Sequence, residues 1–323
     1  MRPSARLITI LVLTFVVSQT TLAQIEYERP VEVAPTEEDI GEGYVTPPVQ
    51  WHPPRATWLN ITDAGLLLAG LGISAWLGLA RRSRTGIVVL AIACAVYFGF
   101  YRKGCVCPIG AIQNVAVALT DPNYAVSYVV VVFFFAPLVL ALLFGRIFCG
   151  GVCPFGAIQE LVVLRPVQVP RRLDKALGLL KYVYLALAIW FAVLPAAERD
   201  FIICRFDPFV GFFRRTGPAY MLIIGGALLV LGMFIGRPYC RYLCPYGGLL
   251  AQLARFSWKG VTITPDKELD CGLCAESCPY GAIENMRAVR TSCLSCARCY
   301  SACPRERAPS REDASAESHE ATG

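Results

Sequence analysis

The run Cys293-Leu-Ser-Cys296-Ala-Arg-Cys299-Tyr-Ser-Ala-Cys303-Pro304 has the C-x2-C-x2-C-x3-C-P spacing of a bacterial iron–sulfur ligand loop. A short irregular loop lets the first three thiolates converge on one cubane, and the turn before Pro304 sends the fourth sulfur elsewhere. A degenerate copy lies just upstream: Cys271-Gly-Leu-Cys274-Ala-Glu-Ser-Cys278-Pro279. The competing metal is zinc, which takes its ligands in two pairs, and the four-Cys run fits that poorly.

The ligand arithmetic follows that of two-cluster ferredoxins. Cys278, Cys293, Cys296 and Cys299 hold one [4Fe–4S] cluster, which leaves Cys271, Cys274 and Cys303 for a second. Glu268 stands where the second cluster's remaining ligand is expected. Three alternatives stay open there: a [3Fe–4S] cluster, a hard ligand from Asp270 or Glu268, or a thiolate borrowed from the apolar, membrane part of the chain.

An internal repeat adds further thiols. Cys149-Gly-Gly-Val-Cys153-Pro-Phe-Gly-Ala-Ile158 copies Cys274-Ala-Glu-Ser-Cys278-Pro-Tyr-Gly-Ala-Ile283, and Cys240-Arg-Tyr-Leu-Cys244-Pro-Tyr-Gly-Gly-Leu249 is a third copy. Cys105-Val-Cys107-Pro-Ile-Gly-Ala-Ile112 is a fourth, with its Cys pair closer together. Cys149, Cys153, Cys240 and Cys244 could close around one metal centre or cluster. Small buried inert thiols are the bland alternative, although Ala or Ser would serve packing equally well. For Cys105, Cys107 and Cys204 a disulfide competes with metal binding. Cys94, alone in an apolar run, reads as packing.

These loops need elements to hold them. The chain has 323 residues, 55% apolar and 17% charged, too apolar for an ordinary soluble domain. Five apolar segments, 64–80, 85–101, 125–145, 182–197 and 218–236, approach the roughly 20 residues needed to span a bilayer. Residues 1–23 carry the basic end, apolar core and small-residue site of a secretory signal. Residues 24–57 are acidic and Pro-rich, too short for a core of their own, and are expected on the periplasmic side. Arg81, Arg82, Arg84, Arg146 and Arg237 flank the apolar segments and read as positive-inside topology signals.

The expected organisation is an all-α transmembrane bundle over 58–260, about five spans after the signal peptide. A small C-terminal α+β bacterial-ferredoxin-like domain follows over 261–305, then a polar tail over 306–323. The bundle sits in the bacterial inner membrane. The iron–sulfur domain faces the cytoplasm, where thiolates stay reduced, and the Cys149–Cys153 and Cys240–Cys244 pairs lie at the cytoplasmic ends of their spans. The net charge of +6 is mild and its cations flank apolar runs, so nucleic acid is excluded as a partner. The chain has only two His, His52 and His319, both outside the apolar segments, and no C-x-x-C-H, which argues against b-type and attached c-type haem.

The stretch 145–256 resembles the membrane half of the NosR/NapH-type membrane polyferredoxins. The resemblance rests on Gly145-Arg146-Ile147-Phe148-Cys149 through Ala157, on Lys181-Tyr182-Val183 and on Cys240-Arg241-Tyr242-Leu243-Cys244-Pro245, and it continues into the C-terminal loops. It implies electron flow between the quinone pool, or a cytoplasmic donor, and a periplasmic redox protein or flavoprotein. Residues 24–58 are too few for the periplasmic flavin domain of NosR, and Cys105–Cys107 is not part of that pattern. The leading expectation is a membrane iron–sulfur electron carrier. The alternative is an accessory, assembly or regulatory protein for a periplasmic metalloenzyme.

Overall fold

The computed structural model describes residues 56–102, 108–122, 124, 126–164, 166–195, 198–214, 219–262, 272–285 and 287–303. The expected signal peptide, nearly all of segment 24–57, Cys105, Cys107, Cys271 and the tail lie outside the described residues.

All five apolar segments fall on helices. In hydrocarbon every backbone polar group must be satisfied within the chain, and a helix does this for an unbroken apolar run. Helix α1 (Thr57–Ala80) has 24 residues and α2 (Arg84–Tyr101) has 18; both close with π-helical turns. Helix α3 (Pro108–Thr120) precedes α4 (Tyr128–Phe144). Short helices α5 (Ile147–Gly151) and α6 (Pro154–Val162) follow, then α7 (Arg171–Leu177) and α8 (Leu180–Val193). The last two form one 22-residue apolar unit from Arg172. Helices α9 (Ile202–Phe206) and α10 (Pro208–Arg214) lead into α11 (Ala219–Phe234), a π turn at Tyr239–Leu243 and α12 (Pro245–Ala254).

Three of these units are long and apolar enough to cross a membrane. Helices α4 and α11, with 17 and 16 residues, rise about 25 Å, short of the roughly 30 Å hydrocarbon core. Helix α3 is a sixth apolar helix, too short for a hydropathy reading to have picked out as a span. The outer faces carry Leu68, Trp76, Val89, Phe135, Trp190 and Ile223, all exposed, an apolar surface of the kind that faces lipid.

The described C-terminal region is compact and small. Helix α13 (Leu273–Glu276) leads to an antiparallel pair, β1 (Ile283–Glu284) and β2 (Arg287–Ala288), with Ile283 opposite Ala288. A loop then reaches α14 (Arg298–Ala302). The region is stitched to the bundle through residues 257–262: Trp258 and Lys259 donate backbone hydrogen bonds to Leu142 and Leu143 at 2.9 and 2.8 Å. The Tyr300 hydroxyl donates to the Thr262 carbonyl at 3.1 Å.

Candidate iron–sulfur sites

The two C-x3-C-P motifs of the helical bundle are built alike because their sequences are alike. Each begins Gly-Arg and passes through an aromatic residue to Cys-x3-Cys-Pro-aromatic-Gly. Gly145, at φ 75, ends α4 in a conformation that Gly adopts without strain, which releases the chain into the first motif. The second Cys of each motif caps a helix and Pro occupies its first turn: Cys153 before α6, Cys244 before α12. The Cys244 sulfur accepts from the Gly247 backbone N–H at 3.2 Å. A thiolate placed there faces the positive end of the helix.

The motifs interlock through reciprocal contacts. A Cβ on Gly156 would lie 2.8 Å from the Cys149 carbonyl oxygen and 2.9 Å from the Arg237 guanidinium of the other motif. A Cβ on Gly247 would lie 3.2 Å from the Cys240 carbonyl oxygen and 3.3 Å from the Arg146 guanidinium of the first. Each Arg thus fills the space left by the glycine of the opposite repeat. The arrangement gathers Cys149, Cys153, Cys240 and Cys244, all buried, with Cys153 in electrostatic reach of the other three. Gln159 tightens the join: its amide donates to the Cys240 sulfur at 3.3 Å and its carbonyl accepts from the Tyr239 N–H at 3.0 Å.

The C-terminal thiols form a second group. Cys278, Cys293, Cys296 and Cys299 line one cavity together with Tyr280, Ala282 and Ile283. Cys299 is in electrostatic reach of the other three thiols. Positive backbone angles at Ser295 (φ 53) and Ala297 (φ 59) curl the loop so that Cys293, Cys296 and Cys299 face the same cavity.

Both quartets suit an iron–sulfur cluster. Burial pushes the Cys293 and Cys299 thiols up to about 12 and raises Cys296 as well. In the first quartet burial pushes Cys240 up to about 11 and Cys153 and Cys244 well up. Such thiols become thiolates only beside a positive centre, which iron supplies. Among the described residues no three His, Cys, Asp or Glu side chains close around a single metal ion. Four thiolates on one zinc would lie about 4 Å apart, given its Zn–S bonds of roughly 2.3 Å. A cubane holds its ligands farther apart, at its corners.

The quartets are adjacent. Gly150, between the thiols of the first motif, abuts the Leu294 carbonyl of the C-terminal loop, and a Cβ there would also lie 3.1 Å from the Ser295 oxygen. Arg146 donates to the Thr291 carbonyl at 3.0 Å, and Arg84 to the Cys296 carbonyl at 2.9 Å. Arg84, Arg146 and Arg237 are therefore more than topology signals: their guanidinium groups turn inward and bond the two sites together. At the centre sits Glu160, which accepts from Arg84, Arg237, Arg298 and Tyr280. Sequence reasoning missed Glu160 and Gln159. The available signal was a polar pair inside an apolar run, since a Glu is almost never buried unpaired.

The remaining cysteines divide as follows. Cys274 on α13 is buried and Cys303 at the end of α14 is half-buried; the two short helices pack together. Cys271, expected beside them, lies outside the described residues. Cys204 lies on α9, and Cys94 is buried in α2.

The comparisons with known proteins, not the thiol geometry alone, place the chain among 4Fe–4S iron–sulfur proteins. A family model for a 4Fe-4S binding domain matches the chain twice, over residues 126–171 and 217–261. Each match contains one C-x3-C-P pair, Cys149–Cys153 or Cys240–Cys244, and the C-terminal run lies beyond both.

The chain is homologous to YccM of Escherichia coli (strain K12), provisionally named an electron transport protein, at 32% identity over 149 residues, covering 43% of this chain and 42% of YccM. It is 35% identical over 144 residues to the protein NirI of Paracoccus denitrificans, covering 42% of this chain and 20% of NirI. It is 30% identical over 151 residues to the regulatory protein NosR of Pseudomonas aeruginosa, covering 41% of this chain and 19% of NosR. The matches thus span less than half the length of each of these relatives. No solved structure matches the chain.

Proposed function

We propose that this chain is a multi-pass inner-membrane electron carrier with two adjacent iron–sulfur sites. One is held by Cys278, Cys293, Cys296 and Cys299 in a cytoplasmic ferredoxin-like region. The other is held jointly by Cys149, Cys153, Cys240 and Cys244 at the cytoplasmic edge of the bundle. Cys271, Cys274 and Cys303 serve a further site in the C-terminal region. Electrons pass between a cytoplasmic or quinol donor and a periplasmic redox partner. The electron-transport name of YccM supports this reading.

The observation that carries the proposal is the contact between the two quartets through Gly150 and Leu294. Clusters bound there would supply one-electron chemistry. The residues do the rest. Burial of the thiols excludes water, and the Arg groups offset the negative charge of four thiolates. Gln159 and the Gly247 N–H orient individual sulfurs.

The test is anaerobic purification, iron and sulfide analysis, and EPR and visible spectra before and after adding menaquinol. Reduction by menaquinol supports a quinol-fed relay to a periplasmic acceptor. Reduction by dithionite alone supports a cytoplasmic donor. A full-length protein that holds neither iron nor sulfide sinks the proposal.

A further inference from the structure

Glu160 is held by four side chains drawn from both parts of the molecule. Arg84 comes from the start of α2 and Arg237 from the turn after α11; Tyr280 and Arg298 come from the C-terminal region. The Arg237 and Arg298 bonds are each 2.8 Å. The Glu160 side chain is 4% exposed and that of Arg237 is fully buried. Three guanidinium groups therefore meet one carboxylate, two more positive charges than it can balance; Arg84 and Arg298 are partly exposed, at 19% and 24%, and Arg237 has no access to solvent.

An unbalanced buried cation is costly unless an anion lies close by. The neighbours able to become anionic are the thiol quartets. Arg237 donates to the Cys149 carbonyl of one quartet and is in electrostatic reach of Cys240 in that quartet and Cys296 in the other. Arg84 and Arg298 are in reach of Cys296. Arg237 is also held at φ 49, a backbone conformation disfavoured for a side chain of its size. One of its guanidinium nitrogens is buried without a hydrogen-bond partner. A group held so tightly at a cost reads as one fixed in place for the charge it carries.

We infer that Glu160 and Arg237 form a positioning pair that clamps the C-terminal thiol loop onto the membrane-edge motifs and sets the reduction potentials of both sites. The inference rests on the proposed iron–sulfur ligation. A cluster with four thiolate ligands is anionic and gains one more negative charge on reduction. The surplus guanidinium charge favours the reduced state, and the Glu160 carboxylate trims that bias. Around a pair as buried as Glu160 and Arg237 the effect of one charge is larger than in water.

The test compares Glu160→Gln with Arg237→Gln in the full chain, loaded anaerobically and titrated by EPR. Removing the carboxylate raises the midpoint potential of both sites, and removing the guanidinium lowers it. The expected size is at least a tenfold change in the reduced-to-oxidised ratio, about 59 mV for one electron. A merely structural role does not produce opposite signs. Shifts of the same sign, unmoved potentials, or loss of the clusters from both variants would overturn the inference. Hydrogen exchange on the metal-free chain reads the clamp separately: Glu160→Gln should speed amide exchange over 289–302, and unchanged exchange would rule the clamp out. A wild-type protein without clusters instead overturns the electron-carrier reading and takes the potential-setting role with it. The exchange measurement then still decides whether the clamp exists.

Discussion

Gly150 packs directly against the carbonyl oxygen of Leu294, so a side chain at position 150 and the C-terminal loop cannot occupy the same space. The obstruction is backbone on one side and a short buried helix on the other, and neither yields as a flexible side chain would. Gly150→Ala is expected to cost about 1–3 kcal/mol of stability by overpacking. It should also pry the loop from the motif. Limited proteolysis within 285–300 and thermal unfolding in detergent measure both effects. A variant that matches wild type in both would show that the contact is not made.

The two repeats share one thiol quartet. Cys149→Ala and Cys240→Ala should therefore each abolish the same spectroscopic signal, despite lying 91 positions apart. Two different lost signals would separate the repeats into independent sites.

Cys296 belongs to the other quartet, where burial raises its pKa. Cys296→Ala is expected to remove one cluster's EPR signal and roughly four iron atoms per chain, and to leave the signal that depends on Cys149 intact. Full iron and sulfide content in this variant would contradict the ligand assignment.

Glu160 also gives stability a dependence on pH. Burial alone would push its carboxyl up, but Arg237, Arg298, Arg84 and Tyr280 outweigh that and hold it well below the usual carboxylate range. A carboxyl with a depressed folded-state pKa stabilises the fold above its unfolded value, roughly 4.3. That stabilisation is lost as pH falls from there toward the folded value. Unfolding of the metal-free chain in detergent should thus show a falling acid limb below about pH 4.5. Glu160→Gln should flatten that limb and lower stability at neutral pH. An unchanged limb would mean that other carboxylates carry it.

Much of the scaffold was legible because its signals are one-dimensional. The segments 64–80 and 85–101 are continuous apolar runs, and both fall within helices long and apolar enough to cross a membrane. The segments 125–145 and 218–236 also gave helices, but capping at Gly145 and the turn before Arg237 trimmed them below spanning length. The thiol motifs were visible from spacing, and Cys278, Cys293, Cys296 and Cys299 line one cavity. The pairing across the repeat was left open, because no spacing rule relates Cys149 to Cys240. Their meeting depends on Arg146 and Arg237 each crossing to the opposite glycine. The same holds for Glu160, whose partners stand 76, 77, 120 and 138 positions away.

The split of one quartet between two repeats bears on how the protein is made. Cys149 and Cys153 leave the ribosome 91 residues ahead of Cys240 and Cys244. At about 5–20 residues per second this is a delay of roughly 5–20 seconds. On the proposed ligation, a half-built site cannot retain a cubane during that interval. Metal loading then becomes a late step in biogenesis, after α11 has been made and the second motif has come round to meet the first. A chain truncated between the repeats would leave the translation machinery inserted, folded in part and permanently colourless.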